Sequence, residues 1–176
     1  MRMAQKKKEE IFCFDSSSFI ILHRYYGEDL IPDIWIELER YFNDDQIISH
    51  EVVFEELTTS TKKDALSKWA SSKKRNFKKM TSNQAIYVSD IIKSFPGLID
   101  AKSEKDQADP WLIALVLEEK SKHGLFISEK EYFIVSEEKI GSPHKIPAVC
   151  EHFGINHLSL RDFFRYNNWQ LGMRKK

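Results

Sequence analysis

The chain has 176 residues, 27 Lys and Arg against 27 Asp and Glu, and a 41% hydrophobic content that includes 12 Phe, 4 Trp and 6 Tyr. That composition supports one sizeable core and excludes a disordered chain, while six Gly and five Pro exclude a fibrous or low-complexity one. The zero net charge excludes wholesale coating of nucleic acid. The longest apolar run, residues 111–117, is far short of the roughly 20 that span a bilayer, so a cytoplasmic protein with no membrane segment is expected. Cys13 and Cys150 form no CxxC pair and are expected to stay reduced.

Residues 1–10 form a charged lead-in, and a single domain is expected over 11–176. Residues 11–14, Ile-Phe-Cys-Phe, are a short apolar run that stops at Asp15 and three serines, which predicts a buried strand and then a helix start. Helical patterning over 19–26 ends at Gly27. Pro32 opens a second helix with Ile34, Trp35, Leu38 and Phe42 on one face, and residues 43–45 close it. Residues 46–48 predict a second strand, Ser49 the cap, and 51–57 the helix that follows. Residues 58–80 carry eight Lys or Arg against Asp64 alone and predict an amphipathic helix with a basic outer face.

Ile86, Ile91, Ile92 and Phe95 give a further helical stripe, closed by Pro96-Gly97. The run at 111–117 predicts a helix covered nearly all round. Residues 125–127 and 132–135 are strand-like, 148–153 a short helix, and 155–158 a last strand. Short buried strands alternating with helices predict an α/β fold, a three-layer α/β/α sandwich on a mainly parallel sheet.

Active groups in such sheets gather where strands end and helices begin. Acids fall at four such points: Asp15, the glutamates of 51–56, Asp106 with Asp109, and Glu137-Glu138. Glu56 follows Val52 and Val53 at helical spacing and so shares their side, whereas Glu55 stacks over Glu51. Clustered carboxylates repel unless a cation joins them, and a hard divalent ion such as Mg²⁺ or Mn²⁺ suits an all-oxygen set and phosphodiester hydrolysis. Each acid also has a plainer reading: Asp15 and Asp109 as helix caps, Glu137-Glu138 as a solvated charge run. The basic residues Lys73, Lys74, Arg75 and Lys78 are candidate nucleic-acid contacts or simply a solvated face, and Trp69 and Phe77 are base-stacking candidates or core. A GxSxG elbow is absent, Ser17 stands where a haloacid-dehalogenase-type phosphatase needs Asp, and Cys150-x-His152-x4-His157 lacks paired zinc-ligand spacing. His23 and His50 are expected as surface or capping residues.

Three segments, IFCFDSSSFI, IISHEVVFEEL and ADPWLIALV, together resemble the PIN domain, the metal-dependent nuclease fold that includes the VapC-type ribonuclease toxins. The tail EEKIGSPHKIPAVCEHFGI is similar to an uncharacterised PIN-like subfamily. The resemblance implies that Asp15, Glu56, Asp109 and Glu138 hold Mg²⁺ or Mn²⁺, that Asp106 assists, and that Ser136 hydrogen-bonds a ligand carboxylate or water. Glu138 departs from the commoner Asp at that place. The implied function is metal-dependent endoribonuclease, as the toxin of a toxin-antitoxin pair. The implied partners are an RNA substrate, a protein antitoxin and a second copy in a homodimer. Alternatives are a catalytically reduced PIN-like RNA-binding or regulatory module and a structure-specific DNA nuclease. The helix at 34–42, Phe163-Phe164 and Trp169 are candidate interfaces or core.

Overall fold

A computed structural model describes residues 9–59, 64–100, 102–103, 107–123 and 130–169. Its centre is a five-stranded sheet in the order β3-β2-β1-β4-β5, with every pair parallel. The strands are β1 (Glu9–Phe14), β2 (Ile47–His50), β3 (Phe77–Lys78), β4 (Lys130–Val135) and β5 (Asn156–Leu158). Eight α-helices flank the sheet among the described residues, giving the three-layer α/β/α sandwich expected. None of these helices is long and apolar enough to cross a membrane.

β1 lies in the middle because it is buried on both sides: Phe12, Cys13 and Phe14 are fully covered. Alternation along the strand sends Phe12 and Phe14 to one face. There Phe12 stacks on Phe133, and both Phe12 and Phe14 meet Phe163 edge to face. β1 pairs with β4 over six residues, from Glu9 against Lys130 to Phe14 against Val135.

Helix α1 (Ser16–Tyr25) starts where Asp15 leaves the strand in an extended conformation, and the Asp15 carboxylate accepts from Ser17 N. α2 (Pro32–Asn43) has Pro at its N-terminus and buries Ile34, Trp35, Leu38, Tyr41 and Phe42. α3 (Glu51–Thr58) is capped by His50, whose Nδ1 accepts from Val52 N, and not by Ser49 as the sequence suggested. Ser49 is buried within β2, where its hydroxyl donates to Phe14 O at 2.7 Å and so extends the strand by a residue.

The single basic helix expected across 58–80 is not formed. Asp64 caps α4 (Ala65–Ser72), a 3₁₀ turn follows at Lys74–Asn76, and the chain then joins the sheet edge as β3. The cause is Asn76, which is buried and whose Nδ2 donates to Phe42 O, Asp45 Oδ1 and Ile47 O. The Asn76 NH₂, shared among three acceptors although the Asn76 Oδ1 is left without a partner, ties this segment to α2 and β2 at the sheet edge against its helix propensity.

α5 (Ser82–Ser94) opens with a Thr81–Gln84 capping box and buries Gln84, Val88 and Ile91, while Ile86 of the expected stripe is exposed. α6 (Ala108–His123) is the helix expected to be enclosed, and its residues from Leu112 to Val116 are at most 1% exposed. The strand-like piece at 125–127 lies outside the described residues. α7 (Ile146–His152) and β5 follow, and then α8 (Leu160–Tyr166), which the sequence pattern did not predict. Ser159 caps α8, and Phe163 and Phe164 are buried. Trp35, Phe163 and Phe164 are therefore core residues and not interface, and the partly buried Trp169 stacks on Phe164.

Candidate metal centre

The parallel sheet turns the C-terminal ends of β1 and β4 to the same side, and their junction with the helices is where the acids gather. Asp15 N donates to Val135 O at 2.9 Å, which ties the two strand ends together. The Asp15 side chain is 4% exposed. Ser17 donates to it through both backbone N and hydroxyl, and Ser17 Oγ in turn accepts from Glu137 N. Burial raises the Asp15 carboxyl, the serine hydrogen bonds oppose the shift, and the charge of Glu138 adds to it.

Glu56 comes from α3. It is exposed as a residue, yet its Oε1 accepts from Ala108 N at 3.3 Å at the start of α6. Burial raises its carboxyl, a hydrogen bond from Ser16 lowers it, and Asp15 raises it. Asp109 sits in the first turn of α6 and is not the cap. Its carboxyl is pushed up to about 8, by burial first and then by Asp15, Glu138 and Glu56, with Lys145 pulling the other way. A helix N-terminus ordinarily favours a carboxylate, so the surrounding negative charge and burial override the dipole here.

Glu138 completes the group from the segment after β4. Its Oε1 pairs with Lys145 Nζ at 2.8 Å, and its Oε2 accepts from Ile146 N at 2.7 Å. Glu137 accepts from Leu160 N at the start of α8, whereas Glu138 is the neighbour that acts electrostatically on Asp15 and Asp109. The four acids therefore act on one another electrostatically. Asp106 lies outside the described residues. Ser136 is fully buried and, instead of facing a carboxylate, shares a 2.9 Å hydrogen bond with His157 Nε2, which links β4 to β5.

The donor set is all oxygen, three of its carboxyls are raised, and its ion pair among the described residues is to a single ammonium, which together fit a hard divalent cation. Among the described residues no three His, Cys, Asp or Glu side chains are arranged to hold an ion together. Mg²⁺ typically keeps several waters and takes one or two carboxylates directly, so a closed triad is not required of such a site.

The basic run divides. Lys73 is ion-paired with Glu39 and lies over the Phe42 ring, and Arg75 donates to Phe42 O and Asn43 O at the end of α2. Lys74, Lys78 and Lys79, together with Arg75, line a cavity of ~540 Å³ that also holds Phe54, Phe77 and the glutamates Glu51 and Glu55, with Lys74 Nζ 5.5 Å from the Phe54 ring centroid. Phe77 is core, and Trp69 packs among Phe19, His23, Trp35 and Phe42, so neither offers a free face to a base. His23 is half-buried: its ring packs edge-on against Trp35 and Trp69, and burial lowers it to about 4. Lys145 is a site residue that the sequence pattern did not reveal, although it stands in the KIP segment directly before the Ile-Pro start of α7.

The family model described as "Domain of unknown function (DUF4411)" matches residues 12–171. No curated protein matches the chain. Among solved structures, it is similar to one described as "Crystal structure of VapBC2 from Rickettsia felis bound to a DNA fragment from their promoter". That match has 11% identity and a TM-score of 0.47, and covers 85% of this chain and 98% of that chain.

Proposed function

Because the chain belongs to the DUF4411 family, whose description assigns no activity, its function has to be argued from its own residues, and we propose that it is a PIN-like, metal-dependent endoribonuclease. The observation that carries this reading is the electrostatic convergence on Asp109, whose carboxyl is pushed up to about 8 by burial first and then by Asp15, Glu138 and Glu56. Evolution of a stable core alone gives no reason to bring four carboxylates into mutual repulsion, and a catalytic centre does.

In this reading the four acids hold Mg²⁺ or Mn²⁺, with Asp106 in a supporting place. A bound ion of this kind lowers the pKa of water and stabilises charge on a phosphate leaving oxygen. The protein's own contribution is placement. Asp15 is fixed by Ser17 and by the β1–β4 tie, Glu56 by the start of α6, and Glu138 by the start of α7. Attack comes from water, so no side-chain nucleophile is required. Substrate brings negative charge to an acidic centre, and Lys74, Lys78 and Lys79 supply the cationic surface that offsets it. Lys73 and Arg75 keep their structural partners. A role as the toxin of a toxin-antitoxin pair, with a protein antitoxin and homodimer formation, belongs to the same reading.

The test is cleavage of single-stranded RNA and DNA with Mn²⁺ or Mg²⁺, comparing the native chain with Asp15→Asn and with chelator. RNA cleavage lost in both controls supports the proposal, and cleavage of DNA alone turns it into a deoxyribonuclease. One feature favours a second reading, a catalytically reduced RNA-binding module: both Glu138 oxygens are already engaged by the chain itself. Binding of RNA with no cleavage under either metal would establish that reading instead.

A further inference from the structure

Lys145 is the one basic side chain, among the described residues, that is ion-paired to any of the four carboxylates. Its two ends differ. The backbone is fixed: Lys145 is the N-cap of α7, its carbonyl accepts from Ala148 N and Val149 N, and the next residue, Ile146, is fully buried. The side chain is 48% exposed, and its ammonium reaches over to Glu138, a residue only 16% exposed. Glu138 thus has one oxygen held by a backbone amide and the other by an ammonium on a flexible stem. The amide is fixed in place at the start of α7, whereas the ammonium can swing into solvent by rotation about side-chain bonds. Asp109 and Asp15 also feel the Lys145 charge.

We propose that Lys145 is a tethered, displaceable counter-cation: it occupies Glu138 when no metal is bound and competes with the divalent cation for that carboxylate. The inference rests on the metal-centre reading above and adds to it that the metal must evict a lysine. Lys145 is a positioning residue, because it acts on Glu138 and through it on the ion. Two like charges competing for one carboxylate oppose each other strongly in a partly dehydrated site. Removing the ammonium should therefore tighten metal binding, even though it takes away a native ion pair.

The experiment is calorimetric titration of metal-free native protein, Lys145→Met and Lys145→Arg with Mn²⁺ alone, together with melting temperatures in chelator. Lys145→Met should bind Mn²⁺ about 10-fold more tightly than the native protein, and Lys145→Arg, which keeps the charge, should stay within about 3-fold of it. In chelator Lys145→Met should melt a few degrees lower, because the acids lose their counter-charge, and Mn²⁺ should close the gap. Equal or weaker Mn²⁺ binding by Lys145→Met overturns the competition. If no form binds Mn²⁺, the metal-centre reading itself fails. The competition proposed for Lys145 then falls with it, whatever the melting temperatures.

Discussion

Replacing Asp109 with Asn tests the electrostatic basis of the site without touching its shape. Burial, followed by its acidic neighbours, pushes the Asp109 carboxyl of the folded protein from the ordinary 3.8 up to about 8. Since the folded value is the higher one, the folded state holds a proton that the unfolded state has already lost between those values. The stability that Asp109 contributes is therefore complete below about pH 4 and drains away as pH rises towards 8. One pH unit in the middle of that window removes about 1 kcal/mol, so going from about pH 5.5 to about pH 7.5 costs the native protein roughly 2–3 kcal/mol through this group. The substituted carboxamide cannot ionise and has no such slope. Urea unfolding in chelator, followed by tryptophan fluorescence, should show Asp109→Asn gaining on the native protein by that amount between the two pH values. Groups remote from the site are common to both proteins and cancel, and loss of the Asp109 charge also relieves Asp15, Glu138 and Glu56, which acts in the same direction. Adding Mn²⁺ at the higher pH should reverse the order, because only the native carboxylate gains from the cation. A difference that stays constant with pH would mean that Asp109 is already ionised in the folded protein, and the case for a cation-seeking cluster would lose its foundation.

Glu138→Gln should weaken Mn²⁺ binding at least about 10-fold, a loss typical of a disturbed metal site, while Glu137→Gln should leave the affinity intact and cost about 1 kcal/mol through the Leu160 amide. Removing Lys74, Lys78 and Lys79 together should flatten the salt dependence of RNA binding by about 0.7 in log–log slope for every phosphate that is no longer neutralised. Lys73→Ala should leave that slope alone and lower the melting temperature, since its ammonium is committed to Glu39. Asn76→Ala should destabilise by about 2–3 kcal/mol in denaturant titration, because three acceptors lose their donor and two of the bonds are buried.

The strands that carry the acids were legible because each is a short apolar run ended by a carboxylate, and local pattern alone marks that boundary. β1, β4 and the enclosed α6 fall in this class. β3 was hidden because its two residues sit inside a lysine-rich stretch, and what brings them to the sheet is the reach of Asn76 to Phe42 and Ile47, about thirty residues away in sequence. α8 spans seven residues, too few for a helical period to stand out. The basic run looked uniform because charge is all a sequence displays: Lys73 differs from Lys74 only through Glu39, far off in the chain. His50 displaced Ser49 as a cap for a similar reason, the Ser49 hydroxyl being taken by Phe14 O across the sheet. At the site, periodicity and strand ends singled out Asp15, Glu56 and Asp109 as candidates but left Asp15 and Asp109 open as helix caps, and the structure shows Asp15 capping α1 while it also acts on Asp109. The pairing of Glu138 with Lys145 and of Ser136 with His157 depends on how the last third of the chain folds back, which no local pattern records.

The central position of β1 bears on how the molecule is made. β1 is the first strand of the sheet to leave the ribosome, yet its six-residue partner β4 begins at Lys130, so for most of synthesis one long edge of β1 stands open. Non-local parallel pairing of this kind is slow and exposes strand edges to aggregation while it waits. It also means that Asp15 and Glu138 cannot approach until β4 has been translated and has paired with β1. A chain stopped before β4 would carry Asp15, Glu56 and Asp109 without the acid that the far side of the sheet supplies, so the cluster proposed as the centre forms only once that long-range pairing is made.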